Sequence, residues 1–211
     1  MTNQVAETLN RVSPTAEDVL SDTVAFSPIR WKTGWPHHLR RVPPFRDDAR
    51  ASITRGEVFE FAADVRDSGW NRDQIIDFLG AAFAYLAGQS NEVMQMQAFL
   101  RNKGNAAKLL SAIRTLQEVT GPEAAYEALA GTGLAPKYAS GLAYFLAGPQ
   151  QAGDAKPIIY TEAAAGALGA SGYAEYLAKA AEAAEAAQAT GDGLPLDAVE
   201  YALSKGENKG D

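Results

Sequence analysis

The chain has 211 residues, of which 46% are hydrophobic and 21% are charged, and its formal net charge at pH 7 is −7. This length and composition fit one globular domain or two small lobes that share a core, and they exclude a disordered tail. The chain has no cysteine, which excludes disulfides, zinc–thiolate sites, iron–sulfur clusters and cysteine nucleophiles. Its two histidines are adjacent, at positions 37 and 38, so we expect no metal site and no cofactor.

The sequence also has no segment that predicts membrane insertion or export. No run of 18 apolar residues occurs, and the N-terminal sequence MTNQVAETLN lacks the basic and apolar regions of a secretory signal. We therefore expect a cytoplasmic protein with no membrane contact, and we expect it to be a monomer.

The charge is distributed unevenly along the chain. Residues 1–29 sum to −3, residues 30–108 to +3 and residues 109–211 to −7. Between Arg30 and Arg55 there are seven Arg or Lys residues against two acids. The overall charge argues against indiscriminate nucleic-acid binding, but a groove can be positive in an acidic protein. The basic segment is therefore either a DNA-facing surface or an ordinary solvated face.

Residues 1–50 predict an irregular arm with one short helix near residues 14–21. Prolines at 28, 36, 43 and 44 disfavour long regular elements. The aromatic residues at 26, 31, 35 and 45 need apolar partners, so we expect this arm to wrap around the rest of the protein.

From about residue 51 the pattern becomes helical. Apolar residues recur at spacings of three and four, with Gly, Asn or Pro at the breaks, and no stretch has a convincing strand pattern. The predicted helices cover about residues 51–69, 71–86, 91–101, 105–119, 122–130, 136–146, 160–168, 171–189 and 195–203. The sequence thus predicts an all-α fold of two helical lobes, with a body over residues 51–204 and a frayed tail over residues 205–211.

The most informative segment is residues 129–146 (LAGTGLAPKYASGLAYFL). A helix, a Gly-x-Gly turn and a second helix place free backbone N–H groups at a helix N-terminus, where they can hold a DNA phosphate without a charged side chain. This interpretation predicts DNA contacts at Gly131, Gly133 and Ala135. The alternative is that the glycines only end the first helix.

The same segment resembles the Leu-Pro-Gly-x-Gly-x-Lys hairpin of the helix-hairpin-helix DNA glycosylases. Residues 54–203 as a whole resemble bacterial proteins with an 8-oxoguanine DNA glycosylase (OGG) fold. The matching stretches are residues 78–88 (FLGAAFAYLAG), 134–145 (LAPKYASGLAYF), 157–161 (PIIYT) and 196–203 (LDAVEYAL). The resemblance implies a helix-hairpin-helix element, two lobes with a cleft, and double-stranded DNA with a flipped-out base as the partner.

The resemblance also implies a nucleophile. Bifunctional members of the superfamily have a lysine just after the hairpin glycines, which attacks C1′ of the flipped nucleotide and forms a Schiff base. Lys137 falls close to that place in the sequence. A lysine must be deprotonated to react in this way, which a desolvating pocket can achieve. The alternative is a solvated lysine on the first turn of a helix.

The superfamily aspartate, which stabilises positive charge on the sugar as the base leaves, is substituted in this chain. Thr161 stands at its position, and a hydroxyl cannot stabilise that charge as a carboxylate does. Glu162, the next residue, is a candidate to replace the aspartate, but it lies about 100° further around a helix, so it could do so only if the start of the helix is displaced. Asp154 lies in the preceding loop.

A second candidate DNA surface lies in the basic segment, where Trp31 and Trp35 accompany Arg40 and Arg41. Tyr138 and Tyr144 could also stack on a flipped base, although we assign Tyr144 to the core. The leading hypothesis is a DNA glycosylase or lyase that uses Lys137 to excise a damaged or modified base. The rival is a catalytically inactive glycosylase-fold protein that binds DNA or a protein partner. A helical scaffold or immunity-type protein is the third possibility, favoured by the acidic charge.

Overall fold

The computed structural model describes residues 3–45, 47–188 and 194–207. Of these described residues 68% are helical, and the sheet they form has only two strands, which confirms the predicted all-α class in outline. The helices, in chain order, are α1 Asn3–Val12, α2 Ala16–Leu20, α3 Pro28–Gly34, α4 Arg55–Asp67, α5 Arg72–Ala87, α6 Glu92–Arg101, α7 Lys103–Thr115, α8 Pro122–Ala130, α9 Pro136–Ala147, α10 Glu162–Leu168, α11 Tyr173–Gln188 and α12 Leu196–Glu207.

The described residues contain two short strands, although no stretch of the sequence has a convincing strand pattern. Strands β1 Thr23–Phe26 and β2 Ala51–Thr54 pair antiparallel, with Val24 opposite Ile53. Each strand has four residues, too few for a two-residue periodicity to stand out in the sequence. This ribbon joins the N-terminal segment to the start of α4.

The N-terminal segment contains more regular structure than its prolines predicted. It forms α1, α2, β1, α3 and a 3₁₀ turn at His37–Leu39. Thr15 and Asp18 cap α2 reciprocally, and Ser27 caps α3, which has proline at its first position. The segment packs on the body at both ends, because α1 contacts α12 and β1 contacts α5.

The main core, as we name the larger hydrophobic cluster, surrounds α5 and α9. Every residue from 78 to 87 and from 138 to 146 is buried. The two helices approach closely at Gly141, where a Cβ atom would lie 2.6 Å from Leu86 Cδ1. The beginning and end of α5 match the sequence prediction, because the Asn71 side chain caps its first turn and Gly88 ends it.

The alanine core, as we name the smaller cluster, joins α1, α10, α11 and α12. Alanines of α11 and α12 allow close helix packing, and the rings of Tyr173 and Tyr176 fill the space beside Ile158. The helix α12 continues through Lys205 to Glu207, into the segment expected to fray. The remainder of that predicted tail, residues 208–211, lies outside the described residues.

None of the helices in the described ranges is long and apolar enough to cross a membrane. Within the same ranges, no group of three or more His, Cys, Asp or Glu residues could hold a metal ion.

Candidate functional site

The turn between α8 and α9 is exposed at Gly131, Gly133 and Ala135. The Gly133 N–H donates to the Ala130 carbonyl at 2.9 Å, and its φ of +95° favours glycine. The predicted free N–H group is therefore not available at Gly133, and Pro136 has no N–H. In the part of the chain that the structure describes, the amides of Leu134, Ala135 and Lys137 have no hydrogen-bond partner.

The N-terminus of α9 differs from most other helix starts because no side chain caps it. Ala135 occupies the N-cap position, whereas Thr54, Asn102 and Thr161 cap their helices with side-chain oxygens. Alanine is among the poorest N-cap residues. The start of α9 therefore presents free amides and the positive end of a helix dipole, which together suit an anion.

Lys137 lies on the first turn of α9 and forms an ion pair with Glu92 at the start of α6. Lys137 Nζ is 2.8 Å from Glu92 Oε2, and the Tyr138 hydroxyl donates to the same oxygen at 2.6 Å. Burial would raise the pKa of Glu92, but the hydrogen bonds from Lys137 and Tyr138 outweigh it and lower that pKa. Glu92 is therefore ionised at neutral pH and holds the Lys137 ammonium.

Lys137 and Thr161 line the same pocket, which has a volume of about 140 Å³. The pocket lies where α4, α5, α9 and α12 approach the segment before α10. Its other lining residues are Asp22, Arg55, Tyr85, Leu86, Ile159, Glu200, Ser204 and Lys205. The two residues that the sequence predicted to act together, 24 positions apart, thus share one cavity.

The back of the pocket is a buried charge network centred on Arg55, which sequence reasoning missed. The Arg55 side chain is 3% exposed and donates to Glu200 Oε2 at 2.8 Å and to the Tyr85 hydroxyl at 2.9 Å. Tyr85 in turn donates to Asp22 Oδ2 at 2.6 Å, and Lys205 Nζ lies 2.7 Å from Asp22 Oδ1. The available signal was the pair of acids at positions 197 and 200, which lie on one helix face within a stretch that the resemblance had marked.

The three carboxyl groups of this network differ in protonation behaviour. Burial raises the pKa of Glu200 and of Asp197, although Arg55 opposes that effect in both cases. Burial would also raise the pKa of Asp22, but hydrogen bonds from Lys205 and Tyr85 and the charge of Arg55 lower it. Asp22 is therefore the most acidic carboxyl group that lines the pocket.

Thr161 acts as the N-cap of α10, and its hydroxyl accepts a hydrogen bond from the Ala164 amide at 3.1 Å. Glu162, the next residue, is exposed and does not line the pocket. Asp154 lies in the loop before α10, where it pairs with Lys156 at 2.8 Å. The structure thus brings neither Glu162 nor Asp154, the acids nearest to Thr161 in the sequence, to Lys137.

The predicted aromatic surface of the N-terminal segment lies inside the main core. Trp31 is 0% exposed and Trp35 is 3% exposed, and both rings pack near Phe45. Burial does not support the prediction that Trp35 contacts DNA. Tyr144 is also buried, as we assigned it, and its hydroxyl donates to Asp197.

The two arginines predicted at this surface differ in their surroundings. Arg40 is exposed in a left-handed backbone conformation, with no ion-pair partner among the described residues. Arg41 donates to both carboxylate oxygens of Asp77 and lies 3.6 Å from Asp73. A DNA contact at Arg41 would therefore compete with its two acidic partners.

Comparison with known proteins agrees with the resemblance read from the sequence. A search of curated proteins and a search of solved structures each gave no match. The family described as "Putative 8-oxoguanine DNA glycosylase OGG-like protein" matches residues 17–204, which include Asp22, Arg55, Lys137, Thr161 and Glu200. The chain therefore belongs to the family of 8-oxoguanine DNA glycosylase OGG-like proteins.

Proposed function

We propose that this protein binds double-stranded DNA and excises a damaged or modified base, with Lys137 as the nucleophile. The proposal depends on two facts: the chain belongs to the OGG-like family, and Lys137 has the position described next. Lys137 lies on the first turn of α9, next to its uncapped N-terminus, and it lines the same pocket as Thr161. A phosphate held by the free amides of Leu134, Ala135 and Lys137 would bring the adjoining nucleotide close to that pocket.

In the proposed reaction, the target nucleotide leaves the base stack and its sugar enters the pocket. The neutral amine of Lys137 attacks C1′, the bond from C1′ to the base nitrogen breaks, and the base leaves with that electron pair and takes up a proton. Loss of the amine proton and opening of the sugar ring then give a Schiff base on Nζ. The pair between Lys137 and Glu92 must open first, because a paired ammonium is not a nucleophile.

Entry of a nucleotide also requires the pocket to widen. Its volume of about 140 Å³ is below the roughly 300–1,000 Å³ of ordinary small-molecule sites. Among the residues that line it, Lys137 and Lys205 have room to move their side chains aside, since these are 35% and 42% exposed. Arg55 and Glu200, each 3% exposed, form the fixed wall.

The test is borohydride trapping on duplex DNA that contains one 8-oxoguanine, followed by a panel of other damaged bases. We expect wild type to form a trapped complex and to cleave the strand, and we expect Lys137→Ala to lose both. Lys156→Ala is the matched control, because Lys156 is 32% exposed and pairs with an acid at the same 2.8 Å. Equal trapping by wild type and Lys137→Ala would show that Lys137 is not the nucleophile.

The second candidate function is an inactive glycosylase-fold protein that binds DNA or a protein partner. The observation that favours it is Thr161, because its hydroxyl is engaged as the cap of α10 and supplies no charge to the pocket. In that case wild type binds DNA without cleavage, and Lys137→Ala removes about one phosphate contact from the salt dependence of binding. Thr161→Asp keeps a capping side chain, so it should raise excision in an enzyme and should have little effect on excision by an inactive protein.

A further inference from the structure

A second basic segment, separate from residues 30–55, covers the end of α6 and all of α7. Residues 93–117 contain four basic residues and no acid, in a chain whose net charge is −7. We name the four side chains Arg101, Lys103, Lys108 and Arg114 the α7 basic face. All four residues are exposed.

The buried side of α7 fixes where these side chains project. Ala106, Leu109 and Ile113 are its buried residues and turn toward the main core. Lys103 and Arg114 lie close to one line along the helix, at one edge of its exposed side, and Lys108 lies about 120–140° further around, at the other edge. The exposed residues between these edges are small, such as Ala107 and Ser111. The exposed side of α7 is therefore a strip of small residues with positive charge along both edges, and no acidic side chain on it would keep a polyanion away.

The cations of this face are available, in contrast to many other cations of the protein. Lys32, Arg41, Arg55, Lys137 and Lys156 each form an ion pair with an acid. None of the four residues of the α7 basic face forms an ion pair within the described residues. Four uncompensated charges on one surface repel one another, and an anion placed against them removes that repulsion.

The α7 basic face adjoins the turn between α8 and α9. Phe99, near the end of α6, lies 3.8 Å from the Cβ position of Gly133, and α7 contacts α8. At the corner between α6 and α7, the Asn102 side chain accepts hydrogen bonds from the Gly104 and Asn105 amides. This cap fixes the positions in the chain from which Arg101 and Lys103 project.

We propose that the α7 basic face binds backbone phosphates of duplex DNA that flank the nucleotide held at the turn. This inference rests on the proposed DNA-binding function and adds a surface that neither the turn nor the Lys137 pocket includes. Lys103 and Arg114 are eleven residues apart, which corresponds to roughly 16 Å along a helix. One DNA strand presents a phosphate about every 3.4 Å of its axis, so the strip is long enough to meet several of them.

The test measures the dissociation constant for an undamaged duplex over a series of salt concentrations. The variants are Arg101→Gln/Lys103→Gln and Lys108→Gln/Arg114→Gln. The logarithm of the association constant falls with the logarithm of the salt concentration. Each lost phosphate contact should make that negative slope shallower by about 0.9, which weakens binding about eightfold at 0.1 M salt. Arg11→Gln/Lys179→Gln removes the same charge from helices of the alanine core and should bind like wild type.

The outcomes separate this inference from the proposed function. If wild type binds with a steep salt dependence and the α7 variants bind equally well, the α7 basic face is not a DNA surface, and the role of Lys137 is unaffected. The same conclusion follows if the control variant loses as much affinity as the α7 variants. If wild type does not bind duplex DNA at all, the proposed function itself fails. Single-turnover trapping at saturating DNA should remain unchanged in the α7 variants, because none of their residues lines the pocket.

Discussion

The two basic segments of this protein differ in what holds their charges. In residues 30–55, Lys32, Arg41 and Arg55 are paired with acids, and the two tryptophans among them are buried. In residues 101–114, the four cations have no acid within their own stretch of chain and no ion pair among the described residues. A dense group of basic residues in a sequence therefore does not by itself mark a nucleic-acid surface. The first segment uses part of its charge in ion pairs, although Arg30, Arg40 and Arg50 form none among the described residues, whereas none of the four cations of the second segment is paired.

The largest expected effect comes from the paired segment. Arg55→Met leaves Glu200 and Asp22 without their buried cation, so we expect unfolding free energy to fall by about 3–5 kcal/mol. Arg101→Met, the same substitution on the α7 basic face, should change stability by no more than about 0.5 kcal/mol. Chemical denaturation of both variants measures the difference. Equal stabilities would mean that the Arg55 network does not support the fold.

The second prediction concerns the uncapped start of α9. Ala135→Asp supplies the missing cap, so it should stabilise the protein by about 0.5–2 kcal/mol. The new carboxylate also occupies the free amides and repels phosphate, so DNA binding should weaken in the same variant. Ala124→Asp adds the same charge to the first turn of α8 and serves as the control. A variant that is both more stable and binds DNA as wild type does would rule out a phosphate site at the turn.

The third prediction concerns Glu92. Glu92 holds Lys137 in an ion pair at 2.8 Å that must open before the amine can attack, so Glu92→Gln should speed trapping at neutral pH. Asp154→Asn changes the equivalent pair at Lys156 and should leave the rate of trapping unchanged. Slower trapping in Glu92→Gln would instead identify Glu92 as a required proton acceptor.

The lowered pKa of Glu92 also makes stability depend on pH in a defined direction. Its folded-state pKa lies below the ordinary value of 4.5, so its stabilising contribution is present above that pH and is lost as acid protonates it. The effect is small because the Glu92 side chain is 37% exposed. Glu92→Gln should therefore reduce the loss of stability on acidification, which thermal unfolding at several pH values can measure.

The sequence predicted the elements whose signals are local. The cap at Asn71, the stop at Gly88 and the proline start of α8 each depend on residues within one or two helical turns. The two short strands were missed because four residues give too little pattern. The resemblance brought Lys137 and Thr161 into one hypothesis, and both line one pocket, although their chemical roles stay predictions.

The parts that could not be predicted depend on contacts between distant residues. Arg55 pairs with Glu200 across 145 positions and with Asp22 across 33, so no local pattern marks it as buried. Trp31 is buried because α3 and the following proline-rich stretch fold onto α5, where its ring stacks on Phe83. A tryptophan with arginines around it has the same local sequence whether it is in a core or on a DNA surface.

The most direct test of the central claim is to identify the trapped residue. Wild type is mixed with a duplex that it cleaves, and borohydride reduces the Schiff base between protein and DNA. The trapped complex is then digested, and mass spectrometry locates the residue that carries the adduct. We predict that the adduct is on Lys137. An adduct on Lys205, the other lysine that lines the pocket, or strand cleavage with no trapped protein, would contradict the proposed mechanism.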